Sequence, residues 1–302
     1  MINILISIFI FIFLSACNST NNQSTNGNSD EYIQSIYAWK NERVEYLKGR
    51  DGWLNLAGLY WLNQGENTVG SDKANTIQFP EQTPAFLGSF ILYDNKVLFK
   101  SHDKVQVYHK GEVVKQINME IDINRSLTIL THDSLAWFII QREDQFGVRL
   151  RDFNHPALNR LDSIPSYPID INWRLEANLK KFDTPKNISV TNVLGMISQE
   201  KVIGVLEFNV NGSSFELFPM GTENALWIIF ADETSGVETY GGGRYLEVGS
   251  QDENGKYCID FNKAYNPPCA FTAFATCPLP PKENILEIKI TGGEKDLPHT
   301  IH

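Results

Sequence analysis

The residues best suited to chemistry crowd into one stretch, between Asp232 and Glu294. Asp232 opens the turn Asp232-Glu233-Thr234-Ser235-Gly236, where a carboxylate can accept from a backbone N–H two residues on. Tyr240 leads into Gly241-Gly242-Gly243, and Arg244 follows. Glycines let a ligand approach the backbone closely, and a guanidinium grips oxyanions with a planar fork. The segment could therefore cradle an anion or a carboxylate. It could also be a tight turn in which Arg244 pairs with Asp232 or Asp260. Glycine turns far outnumber anion sites, which favours the turn, and the spacing is neither that of a P-loop nor that of a dinucleotide motif. Further on, Asp260, Asn262, Asn266 and Glu283 would supply oxygen ligands or acid–base groups if they converge. A catalytic centre would combine Asp232, Arg244, Asp260, Asn262 and Glu294, with Tyr240 or Cys277 taking part, because strained Gly and Pro loops beside polar residues are where functional sites gather.

The same stretch holds three of the four cysteines. In an oxidising compartment the simplest pairing is Cys269–Cys277, with Cys258 buried in a strand; free structural thiols, a metal site and a nucleophile follow in that order. No His lies between His155 and His299, so a thiolate metal site lacks its usual partner and a thiol nucleophile lacks its usual base. Neither a metal nor a cofactor is expected. No Ser sits in a G-x-S-x-G elbow and no H-E-x-x-H occurs, so the usual hydrolase and metalloprotease signals are missing. His155, between Asp152 and Pro156, could pair with Asp152 as a base, but holding a loop turn is the plainer role.

These residues need elements to position them, and the composition says which. The chain has 302 residues, of which 42% are hydrophobic and 21% charged, and its net charge is −10. That is globular rather than disordered, collagenous or coiled-coil. An acidic body would repel a phosphate backbone, so no nucleic-acid partner is expected.

The N-terminus reads as an address. Ile2–Leu14 is almost unbroken apolar, too short to span a bilayer and right for a signal-peptide core. It ends in Leu14-Ser15-Ala16-Cys17, which looks like a bacterial lipobox. That implies cleavage before Cys17 and acylation there, giving a protein anchored to the membrane and facing the periplasm. Residues 1–16 are then signal peptide. The polar run Asn18–Asn28 completes a flexible tether over residues 17–28.

Ser29-Asp30-Glu31 is a good helix start, and Ile33, Ile36, Tyr37, Val44 and Leu47 recur near helical spacing up to Gly49. From Trp53 onward the period changes to short β-branched and aromatic runs, as in sandwiches and barrels. Asp94-Asn95, Lys110-Gly111 and Asn211-Gly212 read as hairpin tips. A proline-punctuated connection (Pro156, Pro165, Pro168) divides an N-terminal helix plus sandwich, residues 29–152, from a second β domain, residues 153–302. In that second domain, Trp173–Leu179 and Ile188–Val193 read as separate strands. Trp39, Trp53, Tyr60 and Trp61 are expected to clamp the helix onto the sheets.

Two family resemblances follow from particular segments. Gly65-Glu66-Asn67-Thr68-Val69-Gly70-Ser71-Asp72, then Ile77-Gln78-Phe79-Pro80 and the alternating strands to Asp152, resemble a forkhead-associated (FHA) β-sandwich. Ser71 stands where those domains carry a phosphate-binding Arg, and their Ser-x-x-His and Asn-Gly recognition loops are absent. Phosphothreonine binding is therefore not implied. The second resemblance rests on Trp39–Arg43, Gly52–Leu54, Gly58–Leu62, Ile140–Arg142, Arg149–Asp152, Thr239–Leu246, Asp260–Cys269 and Thr276–Pro281. These segments are similar to the prokaryotic family known as domain of unknown function 1684, which brings no activity with it. The resulting expectation is a lipid-anchored envelope protein, mainly β, that binds a ligand or protein partner. The alternative is an enzyme built around Arg244, Asp260 and Cys277.

Overall fold

Apolar residues alternate along most strands of this chain, and that alternation builds two separate cores. The computed structural model describes residues 25–123 and 126–297. The lipobox with Cys17, and the tether up to residue 24, lie outside the described residues.

A single long helix, α1 (Thr25–Lys48), comes first. It begins four residues before the Ser29 start expected from the sequence, so the end of the expected tether is helical. Thr25–Asn28 contains a single Gly, and a polar segment at a helix end needs no burial to continue the turn. Ile36 and Leu47 are fully buried, while Tyr37 and Tyr46 are exposed.

The N-terminal body follows as β1 (Leu56–Trp61), β2 (Gly65–Gly70), β3 (Ile77–Gln78), β4 (Gly88–Tyr93), β5 (Lys96–Ser101), β6 (Val107–His109), β7 (Glu112–Val114), β8 (Gln116–Met119), β9 (Leu130–His132), β10 (Leu135–Arg142) and β11 (Gln145–Asp152). One sheet has six strands in the order β1-β11-β10-β9-β6-β7, and the other has five, β3-β2-β4-β5-β8. Phe90, Phe99 and Val69 from the second sheet meet Trp137, Val148 and Leu150 from the first in one core, which makes the pair a β-sandwich. Asp94-Asn95 and Lys110-Gly111 have positive φ at both residues, as a type I′ hairpin turn requires. β1 was not expected as a strand. Leu56–Trp61 is aromatic-rich and pairs with β11 along its length, and Tyr60 packs on the sandwich core against Phe79.

The C-terminal body holds β12 (Arg174–Thr191), β13 (Ile197–Val210), β14 (Ser213–Leu217), β15 (Met220–Thr222), β16 (Ala225–Asp232), β17 (Arg244–Gly249), β18 (Tyr257–Asp260) and β19 (Ile285–Leu286). The main path is β17-β16-β15-β13-β12-β18, and the sheet curls until it is nearly closed like a barrel. Trp173–Leu179 and Ile188–Val193 prove to be one strand for most of their length. The register shifts between Lys181 and Lys186, and this irregularity accommodates Pro185, which has no N–H to give to a ladder. The core takes Leu206, Phe208, Phe230, Leu246, Ile259 and Phe261.

A third, smaller cluster joins the two bodies. Leu47 of α1 and Leu54 pack with Ala157, Leu161, Ala270, Phe271 and Leu297, and Trp53 and Tyr240 lie against them.

Candidate functional site

Leu226–Phe230 alternates into the second core, which leaves Asp232 at the end of β16 and Arg244 at the start of the neighbouring β17. The two strands pair, so the carboxylate and the guanidinium meet with no help from a loop. Arg244 Nη2 lies 3.3 Å from Asp232 Oδ1, and both side chains are fully buried. Arg244 Nη2 also donates to Ile290 O at 3.0 Å, and Nη1 donates to Gly292 O. Only Nε lacks an acceptor. Asp232 is more fully occupied: Thr234 Oγ1 donates to it at 2.9 Å and Ile290 N at 2.6 Å. Burial pulls the Arg244 pKa down and Asp232 opposes the shift. The pair ties the segment 290–294 to the sheet.

Glu294 forms a second knot. Arg43 Nε on α1 donates to its Oε1 at 3.2 Å, and Asn266 N donates to its Oε2 at 2.7 Å. Arg43 Nη2 also donates to Asn266 O at 2.8 Å, and Asn266 Nδ2 donates to Lys295 O at 2.8 Å. Burial raises the Glu294 pKa against the pull of Arg43.

Asp260 and Asn262 form a third. Asp260 caps the short 3-10 turn Phe261–Lys263 by accepting from Asn262 N. Its Oδ1 also accepts from Tyr32 OH of α1 at 2.9 Å. Asn262 Nδ2 donates to that hydroxyl at 2.9 Å and to Asp170 O at 2.8 Å, and Asn262 Oδ1 accepts from Asp170 N at 3.0 Å. The Tyr32 hydroxyl is pushed well above the ordinary range, first by burial and then by the Asp260 charge.

The predicted residues thus come together as three adjacent knots rather than around one cleft. Arg244 pairs with Asp232, not with Asp260. The glycine run is a turn: Gly243 has φ +79°, and a Cβ there would lie 2.4 Å from Pro280 Cγ. Tyr240 stands apart, against the Phe271 cluster. Cys269 and Cys277 are joined by a disulfide with Cα atoms 6.0 Å apart, and Cys258 sits on β18. His155 Nδ1 accepts from Ala157 N, capping the short turn Pro156–Asn159. Asp152 is bonded instead to Ser134 Oγ and Gln82 Nε2, so no His–Asp pair forms. Among the described residues no group of three or more His, Cys, Asp and Glu is placed to hold a metal. No helix among them is long and apolar enough to cross a membrane.

Sequence reasoning missed two members of these knots, Tyr32 and Arg43. Nothing in a helix sequence tells which side chain meets a residue more than 200 positions away. A groove of about 220 Å³ opens beside the third knot, lined by Ser29, Tyr32, Ile33, Ile169, Asp170 and Ile171.

A helix-clamped second body, antiparallel but for the β16–β19 pair and strapped shut by buried ion pairs, defines a β-protein class whose polar centre is internal. Residues 159–295 match the family described as "Protein of unknown function (DUF1684)", and that segment belongs to the family. An uncharacterized protein of Haloarcula marismortui, solved by solution NMR, is 30% identical; the match covers 47% of this chain and 80% of that one, with a TM-score of 0.39. A crystal structure of the FhaA FHA domain, complexed with an intracellular domain of a second protein, matches at 10% identity. That match covers 31% of this chain and 97% of the other, with a TM-score of 0.20. No curated protein matches the chain.

Proposed function

We propose that this protein is an envelope lipoprotein, anchored through Cys17 and facing the periplasm, that binds a ligand or partner. The observation that carries the binding reading is the fate of the polar centre. Asp232, Arg244, Asp260 and Glu294 are buried and spend their hydrogen bonds on one another, on α1 and on backbone. A catalytic acid or base must reach a substrate and exchange a proton, and these four face inward. The anchor rests on the Leu14-Ser15-Ala16-Cys17 motif.

The test is to express the full chain and its Cys17→Ser variant in a bacterial host with labelled palmitate. The wild type should take up label and fractionate with membranes, and the variant should do neither. An unlabelled, soluble wild type would remove the anchor.

One observation favours an enzyme: the groove beside Tyr32 and Asp170 brings solvent near the Asp260 knot. If that reading holds, Asp260→Asn should abolish turnover of a substrate that the folded wild type consumes.

A further inference from the structure

The outer face of the six-stranded sheet carries a cation that the fold leaves unsatisfied. Val148 and Leu150 of β11 point into the sandwich core, so Arg149 and Arg151 point the other way. Arg149 lies directly opposite Phe138 on β10 and Leu59 on β1. That face is covered: Ile140 is wholly buried and Arg149 is only 4% exposed.

The flanking arginines are well provided for. Arg142 Nη1 lies 2.7 Å from Asp122 Oδ2, and its Nε donates to Thr276 Oγ1 at 3.1 Å. Arg151 Nη1 donates to Gly52 O and to Asn55 Oδ1. Arg149 differs. Its Nε and Nη2 are buried and have no hydrogen-bond partner. The Trp53 ring centroid is 5.8 Å from its guanidinium carbon.

Nε and Nη2 form one edge of the guanidinium plane, with parallel N–H bonds. That edge is the fork that grips a carboxylate or phosphate with two oxygens. The local charge balance agrees. Burial, then the Arg142 and Arg151 charges, press the Arg149 pKa down to about 10, and only Asp122 among its neighbours resists. An anion here would relieve both the desolvated fork and the repulsion among the guanidinium groups. Two neighbours connect this face to the rest of the chain. Trp53 packs on the cluster that includes Phe271, and Thr276 reaches Arg142 from beside the disulfide.

We propose that Arg149 holds a small oxyanion, a carboxylate or a phosphate, side-on through Nε and Nη2, in the seam between the sandwich and the Cys269–Cys277 loop. Arg142 and Arg151 flank it, and the Trp53 ring lies beside it. This assignment rests on the binding reading and gives it a ligand class.

The experiment is calorimetric titration of the full-length protein in detergent, at constant ionic strength in chloride. The probes are succinate, inorganic phosphate and neutral acetamide, against wild type, Arg149→Lys and Arg149→Met. An anion should bind the wild type one to one, acetamide should give no heat, and the lysine variant should bind at least about tenfold more weakly because the fork is gone. The methionine variant should not bind. The tighter of succinate and phosphate identifies which source of oxyanion the site suits. Equal affinity in all three proteins, or no anion binding to folded wild type, overturns the proposal. Acetamide binding with silent anions overturns the ligand class while leaving the binding reading intact. Should a variant fail to fold, the buried Arg Nε–H resonance of the wild type still decides. It should shift on adding the anion, and an unmoved resonance overturns the site.

Discussion

Arg244 and Arg149 are buried guanidinium groups, one in each body, and their surroundings treat them in opposite ways. Arg244 meets a carboxylate and backbone carbonyls that close the strap at residues 290–294. Arg149 has an unpartnered edge, the Trp53 ring near it and two cations beside it. Burying a charge is tolerable when partners replace the lost water. Arg244 has those partners from within the chain, so its role is complete when the chain is folded. Arg149 leaves two N–H donors on one edge, Nε and Nη2, without a partner from the chain. The contrast separates a polar group that holds the fold from one that awaits something else.

The sharpest way to break this comparison is at Asp232. Asp232→Ala strands Arg244 in the core and should cost about 3–5 kcal/mol, since breaking a buried pair leaves an uncompensated charge. Urea unfolding measures it, and a loss under about 1 kcal/mol would mean that the knot is not what holds the strap. Next comes the disulfide. Cys269→Ser with Cys277→Ser opens a loop of eight-residue separation and should cost about 2–3 kcal/mol by the loop-closure argument. It should also loosen Thr276 from Arg142, weakening any anion effect at Arg149. The opposite sign is expected at Arg149 itself. Without anion, Arg149→Met should hold stability or gain about 1 kcal/mol, because it replaces an unsatisfied buried cation with apolar surface. A loss as large as that at Asp232 would erase the distinction.

The smallest effect is a slope in pH. Burial holds the Glu294 pKa above the ordinary carboxylate value, so the folded state binds that proton more tightly than the unfolded chain. The associated stability is full at low pH and falls as pH rises through the folded pKa. Glu294→Gln should flatten this slope in a pH series of melting temperatures.

Local signals read well from sequence. Asn211-Gly212, Asp94-Asn95 and Lys110-Gly111 all adopt positive φ, because a two-residue tip depends only on itself. Strands near Leu135–Gln141 and Gly147–Arg151 were legible as runs of β-branched and aromatic residues, and the structure places β10 and β11 there. The Asp232–Arg244 pair was one of two options on the page, and strand register chose it. Tyr32 and Arg43 were not legible as members of the polar centre, because their partners lie more than 200 residues away. Arg149 left a trace: Arg149-Leu150-Arg151 alternates on a strand whose neighbour β10 is buried on both faces. A cation on a covered face is the signal to seek.

The reach of α1 has a consequence in time. Tyr32 and Arg43 bind Asp260 and Glu294, across 228 and 251 residues of sequence. Synthesis and export both deliver the helix first and its seats last, and closing so long a loop is slow. The sandwich can therefore form while α1 is still undocked. The last residues of the strap then latch the beginning of the chain, and a chain cut short before Glu294 should emerge with its first helix homeless and its apolar face open to chaperones and proteases.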